Sequence, residues 1–135
     1  MCKVALITVL CVALSVSSPA KATQADKLDG FFSSVNYELE HCRIDYRKGG
    51  YNHFERCALQ AKDNFDRMYM ETKSYLRGES AKKALIEYYQ YAISSVNSII
   101  YLTKETKDGY AARQLVNNQK LGELANLVRV SDIAK

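Results

Sequence analysis

The chain has 135 residues, with 19 Lys and Arg against 15 Asp and Glu, two His and a formal net charge of +4. Basic and acidic residues are interspersed along the whole length, which argues against a nucleic-acid partner because such proteins concentrate basic residues in a patch or stripe. The length allows one domain with its own core and is too short for two. The only proline is Pro19, so no later proline interrupts a long helix.

Residues 1–22 have the pattern of a secretory signal peptide. Lys3 precedes an apolar or small run over 4–16, which is followed by two serines, a proline and the small-x-small triplet 20–22. The apolar run of about thirteen residues is shorter than the roughly twenty needed to cross a bilayer. We therefore expect cleavage near Ala22 and a periplasmic or secreted protein without an integral membrane anchor.

Removal of the leader would leave a single helical-bundle domain over 23–131 and a short frayed C-terminal tail over 132–135. The mature chain would lose Lys3 and Lys21, which lowers its net charge from +4 to +2. It would also keep only two cysteines, Cys42 and Cys57, in an oxidising compartment where they are expected to pair.

Glycines at 49–50, 78 and 109 divide the mature chain into four segments of similar length. Apolar residues recur in the first three segments at steps of three and four, which predicts helices with one buried face. The sequence thus predicts an all-α fold, an up-down antiparallel bundle of four helices, or alternatively three long helices with a loosely packed fourth. The predicted core positions are Leu28, Phe31, Phe32, Val35, Leu39, Cys42 and Tyr46 in the first segment, Phe54, Cys57, Ala58, Ala61, Phe65, Met68, Thr72 and Leu76 in the second, and Ala81, Leu85, Tyr88, Tyr89, Ala92, Val96, Ile99 and Thr103 in the third, with Ile86, Ile93 and Ile100 broadening the third stripe.

The fourth segment, about residues 110–130, does not hold one apolar stripe. Leu115 and Val116 define one direction, whereas Leu121 and Leu124 define another. A kink, or a second face covered by a partner, would each explain this pattern.

The two mature cysteines are symmetric about the first glycine pair. Cys42 lies seven residues before Gly49 and Cys57 lies seven residues after Gly50, so a hairpin turning there would put both at the same height. We therefore predict a disulfide that staples the first helical hairpin. His41 and His53 lie near these cysteines, but adjacent helical residues point about 100° apart, so His41 and Cys42 cannot easily share an ion. No metal site is predicted.

No arrangement of catalytic residues is recognisable in the mature chain. Its only histidines are His41 and His53, and no serine lies in a nucleophile elbow. Glu38 and His41 form one Glu-x-x-His unit, but di-iron bundles use two. The sequence predicts a non-enzymatic protein without catalytic residues or a cofactor.

Several apolar and aromatic residues fall opposite the predicted core stripes and predict a protein partner. The small size, export pattern and stapled hairpin resemble, in a general way, those of bacterial periplasmic inhibitors, immunity proteins and envelope accessory factors. The alternative is a small-molecule or metal carrier that uses a tyrosine-lined bundle interior. The predicted partner-binding residues are Tyr37, His41, Ile44, Leu59, Met70 and Tyr101.

Overall fold

A computed structural model describes residues 23–99 and 107–133 of the chain. The described residues form three helices, α1 (Gln24–Tyr75), α2 (Glu79–Ser98) and α3 (Lys107–Ile133). The predicted leader, the final residues 134–135 and Tyr101 lie outside the described residues.

A capping box begins α1. The Thr23 hydroxyl accepts a 3.2 Å hydrogen bond from the backbone N–H of Asp26, and the Asp26 carboxylate accepts one of 3.1 Å from the backbone N–H of Thr23. The backbone N–H of Thr23, and after it the Thr23 hydroxyl, hold the pKa of the Asp26 carboxyl below its usual value. Thr23, the residue predicted to follow the leader, is therefore the N-cap of α1.

A sharp bend at Gly50 shapes α1. Gly50 has φ 70° and ψ −154°, and it is the one residue inside α1 with non-helical angles. The Cα atoms of Cys42 and Cys57 are 5.4 Å apart across 15 residues, whereas a straight helix would separate them by about 22 Å. The residues before and after the bend, called here the first arm (24–49) and the second arm (51–75), therefore lie side by side.

The four-helix prediction is wrong, and so is its alternative with a loosely packed fourth helix. The described residues form three helices, and the Cys42–Cys57 disulfide lies within α1 rather than between two helices of a hairpin. The physical reason is the conformational freedom of Gly50, whose positive φ redirects the chain in one residue. Helical structure therefore extends to the bend from both sides and no loop separates two elements.

One hydrophobic core joins the three helices, and it contains most of the predicted core positions. Tyr46, Met68, Tyr89 and Ile93 are only partly buried against it and Ile86 is exposed, while Ile100 and Thr103 lie outside the described residues. At the centre of the core the ring of Tyr88 meets Phe32 and Phe31 edge-on, with ring centroids 4.7 and 5.5 Å apart. Burial raises the pKa of Tyr88 above its usual range. From α3 the core takes Leu121, Leu124, Ala125 and Val128.

Polar contacts between distant residues align the helices around this core. The Tyr91 hydroxyl of α2 donates a 2.9 Å hydrogen bond to Asn117 of α3. Near the other end of α3, Gln24 Nε2 donates a 2.7 Å bond to the Asp132 carboxylate, so α3 continues into the predicted tail and contacts the start of α1. The first arm and α3 therefore run antiparallel.

Candidate functional site

The predicted cysteine pair is joined in the structure. Cys42 and Cys57 form a disulfide, and both residues are buried in the core. Farther from the bend, Asn64 of the second arm donates a 2.8 Å hydrogen bond to the Glu38 carboxylate of the first arm. The two arms are thus connected covalently near the bend and by a side-chain hydrogen bond farther along.

Among the predicted partner-binding residues, the structure brings Tyr37 and His41 together. Their rings stack one helical turn apart on the first arm, with centroids 6.0 Å apart and planes 4° from parallel. Tyr37 is exposed, whereas Ile44 is half-buried and offers less surface to a partner.

Leu59 and Met70 are exposed on the second arm. They are eleven residues apart, which places them on the same side of a helix and about 16 Å from each other. Leu59 also lines a cavity of about 440 Å³ between the second arm and α2, together with the exposed ring of Tyr51 and the polar side chain of Asn97. Leu59 therefore belongs to a different surface feature from the Tyr37–His41 stack.

The apolar residues that failed to hold one stripe in the fourth segment lie on opposite sides of α3. Val116, Leu127 and Val130 are 61, 47 and 63% exposed, and they fall within about 60° of one another around the helix. Leu115 flanks them at 69% exposure. These four residues, called here the outer α3 face, point away from the side that packs in the core. The structure thus has one helix over Lys107–Ile133 with an uncovered apolar face.

A groove of about 540 Å³ runs between the first arm and α3, with Phe32 and Tyr88 at its base. Its most unusual member is Arg43, which is only 4% exposed although it carries a full charge. Arg43 Nη1 lies 3.3 Å from Glu40 Oε2, and this carboxylate also accepts a 3.5 Å hydrogen bond from Gln114 of α3. Arg43 was not predicted from the sequence, because a charged residue next to a buried cysteine is expected on the solvated side of the helix.

At the other end of the groove, Arg129 is bound to Asp29. Its Nη2 and Nε atoms lie 2.8 and 2.9 Å from Asp29 Oδ1, and its guanidinium carbon lies 4.8 Å from the centre of the Phe32 ring. Both arginines of the groove thus have a carboxylate partner. The groove offers paired charges and the amide side chains of Asn36, Asn118 and Asn126, which suit a small polar molecule.

Tyr89 connects α2 to the second arm. The Tyr89 hydroxyl donates a hydrogen bond to the Asp66 carboxylate, and the Tyr89 ring stacks on Tyr69 with centroids 4.6 Å apart. The hydrogen bond to Asp66, followed by burial, raises the pKa of Tyr89 to about 12. At neutral pH this phenol is protonated and acts as a hydrogen-bond donor.

A cluster of metal-ligating side chains lies where the two arms meet. The ligand atoms of His41, Asp45 and Cys57 all lie within 4.8 Å of one another, and His41 Nε2 is 3.7 Å from Asp45 Oδ2. They line a cavity of about 240 Å³ together with His53 and Arg56. Adjacent residues on a helix keep His41 and Cys42 from sharing an ion, but the bend brings His41 close to Cys57.

The comparisons with known proteins add no relative. No family model, no curated protein and no solved structure matches the chain. Within residues 23–99 and 107–133, no helix combines the length and the apolar character needed to cross a membrane.

Proposed function

We propose that this chain is an exported, non-enzymatic helical protein that binds a protein partner through the outer α3 face. The observation that carries the proposal is the exposure of Val116, Leu127 and Val130 along one side of a helix whose other side is packed in the core. Single exposed apolar residues are common, but large apolar residues aligned on one helix face are typical of a contact surface.

The polar residues of this face fit the same role. Lys120 and Glu123 lie between Val116 and Leu127, and their charged atoms form an ion pair of 3.9 Å. An apolar surface crossed by a paired charge resembles an interface with apolar contacts and charges that select the partner. Export is supported by the leader pattern of residues 1–22.

Site-specific photo-cross-linking in the native host would test this surface. A photoreactive residue at Val130 is expected to give one discrete adduct, whose mass identifies either a different protein or a second copy of this chain. The same residue at Lys83, an exposed position on α2, is the matched control and should give no such adduct.

Substitutions then separate the outer α3 face from the surfaces of α1. Val116→Arg with Leu127→Arg should abolish the adduct and leave the free energy of unfolding within about 0.5 kcal/mol, because both side chains point to solvent. Tyr37→Ala and Leu59→Ala should leave the adduct unchanged. An adduct lost with Tyr37→Ala but kept in the α3 variant would move the interface to α1 and contradict the proposal.

A second candidate function is the binding of a small polar molecule in the groove beside Arg43. The interior of the protein is filled by side chains such as Tyr88, so a carrier would use this groove of about 540 Å³ rather than a tyrosine-lined interior. Native mass spectrometry of the protein purified from its own host would reveal a bound molecule. Loss of that molecule in Asn118→Leu, with the fold retained, would support the carrier function.

A further inference from the structure

We propose that reduction of the Cys42–Cys57 disulfide opens a binding site for one zinc-like divalent ion on His41, Asp45 and Cys57. The proposal rests on the three ligand atoms that lie within 4.8 Å of one another beside the disulfide. It is independent of the outer α3 face, which belongs to another helix.

The three side chains are those that zinc prefers. An imidazole nitrogen, a carboxylate oxygen and a thiolate bind Zn²⁺ at about 2.0–2.3 Å, which places neighbouring ligand atoms about 3.4–3.6 Å apart in a tetrahedral site. His41 Nε2 and Asp45 Oδ2 already lie 3.7 Å apart. Three protein ligands leave the fourth position for water, as in open zinc sites.

The helical spacing of the first arm and the bend of α1 together place the three ligands. His41 and Asp45 are one turn apart on the first arm, so they face the same way. Cys57 comes from the second arm and reaches them only because of the bend at Gly50. The ring of His41 is also held by its stacking on Tyr37.

The charges around the cavity also fit a divalent cation. Asp45 and a Cys57 thiolate would supply two negative charges, and Arg56 supplies one positive charge to the same cavity. While the disulfide is intact, Asp45 is the one anionic group among the residues lining the cavity. The positive charge of Arg56 offsets it, so the cavity attracts a cation only weakly. The thiolate released by reduction adds a second negative charge to the cavity and strengthens this attraction.

The redox step is an ordinary thiol–disulfide exchange. A dithiol reductant attacks Cys57 Sγ, which lines the cavity, and the S–S bond breaks to release Cys42 as a thiol. The second thiol of the reductant then closes its own disulfide and releases Cys57. Two electrons and two protons reach the protein, and Cys57 passes its proton to solvent when its sulfur binds the ion.

Two single substitutions provide a matched test. Cys42→Ala and Cys57→Ala both remove the disulfide, but only Cys42→Ala keeps the sulfur that faces His41 and Asp45. With Co²⁺ as probe, Cys42→Ala is expected to bind one ion and show thiolate-to-cobalt absorption, and Cys57→Ala is not. Zn²⁺ should bind Cys42→Ala at least about tenfold more tightly than Cys57→Ala, and adding His41→Ala should remove that difference.

The proposal can still be tested if these variants do not fold. If both are unfolded without metal, Zn²⁺ should restore far-ultraviolet circular dichroism in Cys42→Ala and not in Cys57→Ala. Equal Co²⁺ spectra in the two variants would overturn the proposal, as would no thiolate absorption in either. Equal Zn²⁺ affinity in oxidised and reduced wild-type protein would overturn the redox control.

Discussion

Arg129 and Asp29 form an ion pair although they are 100 residues apart in sequence, with Arg129 Nη2 2.8 Å from Asp29 Oδ1. The pair joins α3 to the first arm of α1, and Arg129 also covers the ring of Phe32. Both charged side chains remain partly exposed to solvent. The contact therefore sets the position of α3 more than it stabilises the fold.

A double-mutant cycle at this pair should give a small coupling energy. We expect about 0.2–1 kcal/mol between Arg129→Ala and Asp29→Ala in urea unfolding at low salt, because water screens partly exposed charges. The coupling should fall further in 1 M salt. A salt-independent coupling well above 1 kcal/mol would show that the pair is more deeply buried than the structure indicates.

The buried arginine predicts an asymmetric response to substitution. Glu40→Ala removes the carboxylate next to Arg43 and should lower the free energy of unfolding by about 1–3 kcal/mol, because the guanidinium stays buried without its partner. Arg43→Met keeps most of the packed volume and removes the charge, so it should cost less or even stabilise. Chemical denaturation of both variants checks the order, and a larger loss for Arg43→Met would contradict it.

Gly50 should tolerate a side chain poorly. Its φ of 70° and ψ of −154° lie in a region that is nearly exclusive to glycine, so Gly50→Ala should cost about 1–3 kcal/mol. Gly30 is the matched control, because it is helical and a Cβ there would meet nothing within 4 Å. Gly30→Ala should stabilise by about 0.5–1 kcal/mol in thermal or urea unfolding. Equal effects at the two positions would argue against the bend.

The Tyr89–Asp66 contact predicts a dependence on alkaline pH. The pKa of Tyr89 is raised to about 12 in the folded protein, so its contribution to stability is fully present below the ordinary tyrosine pKa near 10. That contribution should disappear as the pH rises from about 10 to 12. Tyr89→Phe should therefore be less stable than wild type at pH 7, and the difference should shrink across this range.

An ultraviolet titration of the tyrosines gives an independent measurement of the same group. Tyr89→Phe should remove a phenol that ionises near pH 12. Asp66→Asn should instead lower that pKa toward 10, because the carboxylate that accepts the hydrogen bond is gone. A titration unchanged by Asp66→Asn would assign the shift to burial alone.

Reduction of the disulfide should weaken the protein without unfolding it at room temperature. The cross-link closes a loop of 15 residues, which corresponds to about 3 kcal/mol on the chain-entropy model. Urea unfolding of the wild-type protein with and without a dithiol reductant measures this loss, and a metal chelator in both samples keeps zinc from the released thiols. A reduced protein that is as stable as the oxidised one would contradict the estimate.

Apolar periodicity predicted most of the core but could not count the helices. Leu39, Phe65 and Leu85 are buried because residues three and four apart share a helix face in any packing. The number of helices depended instead on whether the glycine pair 49–50 formed a loop or a bend. Spacing cannot decide between them, because both outcomes leave the cysteines at the same height.

The candidate sites, like the fold, could be predicted from the sequence only in part. The disulfide was predictable, since both cysteines were placed symmetrically about the glycine pair. The cluster of His41 with Cys57 and the burial of Arg43 were not predictable, because each depends on which flank of one helical segment meets the next. The split apolar pattern of α3 was visible in the sequence, but only the packed structure showed which half is exposed.

By itself the sequence determined that the described chain is helical, where most of the core of α1 and α2 lies and which two cysteines can pair, because helical periodicity and loop symmetry are local properties. The tertiary structure decided that one residue, Gly50, reverses α1 and that α3 leaves an apolar face uncovered. It also decided which side chains of the two arms meet beside the disulfide. These outcomes depend on the relative rotation of packed helices, which arises from contacts between residues far apart in the chain.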